Sequence, residues 1–104
     1  MAAPWNPPVK NEDFELHIAV EDYANPGNFK SSPTIAAGDF QISKDGGAFA
    51  NLGTLPAVEP ASSQMILLVL SSTEMNADSV VIRGVDQTSP KEWADIIISI
   101  PTTQ

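Results

Sequence analysis

The sequence predicts an all-β antiparallel sandwich. Three observations carry that expectation. Apolar and polar residues alternate with period two in short runs, turn residues recur between the runs, and no stretch reads as a long helix. The 104-residue length suits one domain. With 42% hydrophobic and 17% charged residues, the chain is too apolar and too lightly charged to be disordered.

The elements follow in order. Residues 1–12 read as an extended arm, because Pro4, Pro7 and Pro8 exclude helix and favour polyproline-like backbone. Trp5 sits in that arm and is expected to dock, either on this domain or on a partner. Residues 13–21 form the clearest strand, with Phe14, Leu16, Ile18 and Val20 on one face and Glu15, His17, Ala19 and Glu21 on the other. Residues 22–33 are loop, marked by Asn25-Pro26-Gly27-Asn28 and Ser31-Ser32-Pro33. Residues 34–37 read as a weak strand.

Residues 39–52 read as a β-hairpin. Phe40 and Ile42 share a face, and Phe49 and Leu52 lie on the return strand. Lys44-Asp45-Gly46-Gly47 supplies the turn, with glycine free to take positive φ. After a loop at 53–63 comes the apolar run 64–70, expected to be a central strand buried on both faces. Ser71 and Glu74 fit a capping box, which predicts one helical turn where the chain crosses between sheets. Residues 79–86 alternate again. Residues 92–100 form the last strand, with Ala94, Ile96, Ile98 and Ile100 facing one way and Trp93, Asp95, Ile97 and Ser99 the other. Pro101 stops it. The domain therefore spans 13–101, with a short tail at 102–104. Six clear strands and a weaker seventh favour the immunoglobulin-like type of sandwich. A jelly roll or small barrel is the alternative.

Composition narrows function. Five Lys and Arg against 13 Asp and Glu give a net charge of −8. The five cations, Lys10, Lys30, Lys44, Arg83 and Lys91, are scattered, so neither nucleic acid nor an anionic membrane is an expected partner. No apolar run approaches the ~20 residues of a membrane helix. The first eight residues have neither a basic region nor an apolar core, so they do not read as a signal peptide. There is no cysteine, hence no disulfide, thiolate metal site or cysteine nucleophile.

Candidate chemistry is sparse. His17 is the one histidine and lies on a polar strand face, as an ordinary surface histidine would. Glu12-Asp13 and Glu21-Asp22 are sequence neighbours, which point to opposite faces of a strand and do not make a catalytic pair. Asp45-Gly46-Gly47 lacks the ligand spacing of a calcium loop and the Lys-Ser/Thr of a phosphate loop. No cofactor, metal site or catalytic residue is expected. Tyr23, Phe29 and Trp93 are candidates for a sugar-binding platform, and core packing or loop anchoring is the simpler reading of them.

Three segments carry a resemblance. Residues 33–52, with Gly38-Asp39-Phe40-Gln41-Ile42-Ser43-Lys44-Asp45-Gly46-Gly47 at their centre, resemble a module common in tailed-bacteriophage structural proteins. So does Leu70-Ser71-Ser72-Thr73-Glu74-Met75-Asn76-Ala77-Asp78, and so does the opening Pro4-Trp5-Asn6-Pro7-Pro8-Val9-Lys10. The resemblance implies a hairpin at the first segment, in which Asp39, Lys44, Asp45, Gly46 and Gly47 form the fold. It implies an inter-strand link at the second, which includes Glu74 and Asn76. No catalytic residue comes with it. It implies a non-enzymatic virion protein made in the host cytoplasm, foremost a decoration or cement protein on the capsid exterior. A tail, baseplate or fibre component is the alternative, and a carbohydrate- or cell-surface-binding module is a third. The partners would be the major capsid protein, or tail proteins, and copies of the chain itself, with Trp5, Pro7 and Pro8 as arm contacts.

Overall fold

Alternation decides which residues of each strand enter the core. The computed structural model describes residues 8–103 and contains seven strands: β1 (Phe14–Ile18), β2 (Phe40–Lys44), β3 (Ala50–Asn51), β4 (Ala57–Val58), β5 (Ile66–Leu70), β6 (Ser79–Gly84) and β7 (Ile96–Pro101). They form a three-stranded sheet in the order β1-β5-β4 and a four-stranded sheet in the order β3-β2-β6-β7. Every strand pair is antiparallel. The two open sheets pack face to face as a β-sandwich, and the described residues contain no helix.

The core lies between the sheets. Ile66, Leu68 and Leu70 of β5 face Phe40 and Ile42 of β2, Val80 and Ile82 of β6, and Ile100 of β7. Val20, Met75, Ala77 and Trp93 close its ends from the connections. β5 is central as expected, between β1 and β4. It is fully buried on one face only, since Leu67 and Val69 on the other are half-buried. Gly84 marks the tightest point. A Cβ there would lie 2.7 Å from Phe40 and 2.8 Å from Ile96, its ladder partners on either side.

Several expectations are corrected. Residues 34–37 are not a strand. Three of their backbone groups bond to side chains instead of a ladder. Thr34 N–H donates to Glu92 Oε1 at 3.1 Å, Thr34 carbonyl accepts from Trp93 Nε1 at 3.2 Å, and Ala36 N–H donates to Asp39 Oδ2 at 2.9 Å. The seventh strand is β4, inside the expected 53–63 loop. No helix forms at 71–78. The capping-box bonds are present, yet they close a single turn through Met75 N–H to Ser71 carbonyl.

The last strand begins at Ile96, not at 92. Residues 92–94 pair with 21–23 instead, through Tyr23 N–H to Glu92 carbonyl and Ala94 N–H to Glu21 carbonyl. This break shifts the alternation by one residue. Trp93 turns inward, fully buried, while Ile96 still faces the core. The gain from burying an indole, ~150–250 Å² of surface, explains why the ladder yields there.

Candidate functional site

The hairpin turn is a structural joint. Asp45 and Gly46 have φ of 50° and 77°, and Gly47 N–H donates to Lys44 carbonyl at 2.9 Å. Two positive φ values in a row define a type I′ turn, which matches the twist of an antiparallel pair. The two left-handed residues are thus Asp45 and Gly46, rather than Gly46 and Gly47. The Asp45 carboxylate does further work: Oδ1 accepts from the N–H of Asp78 at 3.1 Å and of Ser79 at 3.0 Å. Nearby, Glu74 accepts from Ser71 N–H at 2.8 Å and from Gly53 N–H at 2.9 Å, and Lys44 Nζ donates to Thr73 carbonyl at 3.0 Å. The hairpin and the 71–78 crossing are therefore one hydrogen-bonded unit.

The arm is described from Pro8 onward, so Trp5 and Pro7 lie outside the described residues. Pro8 is half-buried. Its carbonyl accepts from Thr103 N–H at 2.8 Å and from Thr103 Oγ1 at 3.0 Å, and Lys10 N–H returns a bond to Thr103 carbonyl at 2.8 Å. Val9 and Thr103 pair in parallel. Lys10 Nζ also meets Asp78 at 3.0 Å.

The three aromatic candidates separate. Tyr23 and Phe29 are 57% and 59% exposed on one loop, joined by the Glu21–Phe29 bridge and by Asp22 N–H to Asn28 carbonyl. Trp93 is no platform; it is a core residue stacked on Phe40. His17 is exposed on β1. Glu21 caps Gly27 N–H at 2.9 Å and Asp22 caps Ala24 N–H at 3.0 Å, so both neighbouring carboxylates serve their own loop. The described residues form no pocket and bring no three metal-ligating side chains together.

Two buried carboxylates hold loops. Asp39 accepts from Ala36 and Gln87 N–H. Asp86 accepts from Thr88 N–H at 2.9 Å and Glu92 N–H at 2.7 Å. Burial alone would raise the Asp86 pKa. The Thr88 hydroxyl and the N–H groups of Glu92, Thr88 and Trp93 outweigh it and hold the carboxyl below the usual aspartate value. Lys91 is shifted the other way, upward, chiefly by its hydrogen bond to Asp95.

The remaining surface of interest is the outer face of the four-stranded sheet. Gln41, Arg83 and Ile97 lie in one row across β2, β6 and β7, with Val81 and Ser99 in the next. Arg83 donates to Gln41 Oε1, and its guanidinium lies 3.9 Å from the Phe49 ring centroid. Ile97 is 68% exposed. No strand of this sheet contains Asp or Glu. In the sequence, the signal for this surface was an isoleucine on the face opposite Ile96, Ile98 and Ile100.

The fold and its surfaces define a β-sandwich with exposed apolar side chains and a segment at 8–10 bonded to Thr103, just beyond the last strand. No family model, curated protein or solved structure matches the chain.

Proposed function

We propose that the chain is a non-enzymatic virion structural protein of a tailed phage, foremost a decoration or cement protein on the head exterior. The observation that carries this reading is the joint at Asp45. The two longest segments that resemble phage structural modules, 33–52 and 70–78, are far apart in sequence, yet they bond to each other through Asp45 to Asp78 N–H and Lys44 to Thr73 carbonyl. Their joint presence then has one physical cause, a shared corner of the fold. The strand order supports the immunoglobulin-like form of the sandwich. β1-β5-β4 beside β3-β2-β6-β7 corresponds to strands B-E-D and C′-C-F-G of such folds. A small sandwich offers little contact area, and symmetric repetition on a shell turns weak contacts into durable attachment.

The test is copy number in purified particles of the encoding phage, by quantitative mass spectrometry against the major capsid protein. A near-stoichiometric ratio supports head decoration. A ratio of a few per cent moves the chain to the tail, baseplate or a vertex. Absence from the particle overturns the structural reading.

The exposure of Tyr23 and Phe29 on one loop favours a second reading, a carbohydrate- or cell-surface-binding module. A glycan array with no ligand above millimolar affinity removes it.

A further inference from the structure

Four strands lie at sheet edges: β1, β4, β3 and β7. Exposed edges invite pairing, and proteins blunt them by shortness or charge. β3 and β4 are two residues each. β1 carries Glu15 and His17 and follows Glu12 and Asp13. β7 has neither defence. It spans six residues, Ile96–Pro101, without a charge.

The hydrogen-bond alternation shows what this edge offers. Thr102 N–H donates inward to Asp78 carbonyl, and Thr103 N–H donates outward to Pro8 carbonyl. Counting back in twos, Ile96, Ile98 and Ile100 bond to β6 while Ile97 and Ser99 direct both N–H and carbonyl to the outer edge, where no described residue pairs with them. Pro101 has no N–H to offer. The stretch is bounded by the Val9–Thr103 pair at one end and the Asp22–Trp93 pair at the other.

We propose that β7 is a self-pairing edge: two copies align β7 antiparallel about a two-fold axis, Ile97 opposite the partner's Ser99, and join their four-stranded sheets into one. In this register Ile97 and Ser99 each exchange both backbone bonds with the partner, using every open donor of β7. The edge is complementary to itself, as a two-fold contact requires, and the contact closes at two copies.

Charge leaves this place open to a second copy. Copies with a net charge of −8 repel, but the strands of this sheet contain no carboxylate. The nearest, Asp95, is bonded to Lys91 of its own chain and falls opposite the partner's Pro101. Pairing also brings the two exposed Ile97 side chains onto one continuous face. The proposal does not rest on the virion reading, because it concerns the chain in solution.

The test uses the full chain. Light scattering is measured over about 1–500 µM, the range suited to a contact at the small end of interface sizes. Mass should rise from 11.1 kDa towards twice that value. Over the same range the Ile97 and Ser99 amides should slow in hydrogen exchange by about tenfold or more. Ser99→Pro removes an edge donor without touching a β6 bond, and Ile97→Lys charges the edge should the proline variant fail to fold. A folded variant should remain a monomer where the wild-type chain is paired. Constant monomer mass overturns the proposal. So does a dimer that survives Ile97→Lys, or one with fast-exchanging edge amides. Protection already complete at high dilution also overturns it, since the edge would then be filled by the same chain, residues 1–7 included.

Discussion

Trp93 lies nearly parallel to Phe40, ring centroids 5.3 Å apart and planes 20° from coplanar. The pair couples the segment that precedes β7 to β2. Trp93→Ala should therefore cost roughly 3–5 kcal/mol, the range for emptying a buried aromatic site. Urea unfolding would measure it.

Gly84→Ala should destabilise by overpacking rather than by backbone strain. Its Cβ has to displace Phe40 and Ile96 from under 3 Å. A loss of about 1–3 kcal/mol is expected. The double variant with Phe40→Leu should recover part of it, and full additivity would contradict the steric account.

Asp45→Ala should lose about 1–3 kcal/mol, because it removes an acceptor for two N–H groups and places alanine at φ 50°. Asp45→Asn should lose less, since asparagine tolerates this conformation and keeps one acceptor oxygen. Thermal unfolding of the two variants gives the ranking.

Asp86 should contribute to acid sensitivity. Its folded pKa lies below the unfolded value of about 3.8, so the stabilisation is complete above that pH and is lost as pH falls through the folded pKa. Asp86→Asn should be less stable near pH 7 by roughly 1–3 kcal/mol. The gap should narrow below pH ~4. Denaturant midpoints across pH 2–7 test both the size and the sign.

Replacing Tyr23 and Phe29 together by alanine should leave stability within about ±0.5 kcal/mol, because both rings are mostly in solvent. A larger loss would assign them to loop anchoring instead of contact.

Much of this fold was legible because its strands bury one face. The Phe14–Ile18 alternation, the Phe40–Ile42 face and the β5 run each announce a core side. The capping box was legible as a bonding pattern but not as a helix, since Ser71 and Glu74 specify an end and the chain supplies no turns beyond it. β4 was hidden because two residues carry no period. Residues 34–37 and Trp93 misled together: local alternation cannot register that the indole takes Thr34 carbonyl from across the fold. The turn was readable at Lys44-Asp45-Gly46-Gly47, whereas the positive φ at Asp45 and its grip on Asp78 and Ser79 were not, since the grip depends on a contact over 30 residues away. Ile97 was legible as facing away from Ile96, Ile98 and Ile100, and only the sheet order reveals that it stands on an edge.

The parallel contact of Val9 with Thr103 has a mechanical consequence. If the chain is pulled by its two ends, the segment at Val9 is drawn one way and the segment at Thr103 the other, along their common direction. Force then runs along the strands and across the bonds Thr103 N–H to Pro8, Thr103 Oγ1 to Pro8 and Lys10 N–H to Thr103. Such bonds share the load and break together, whereas a peeled hairpin yields one rung at a time. Tension applied to the termini meets this shear clamp before it reaches the strands behind it.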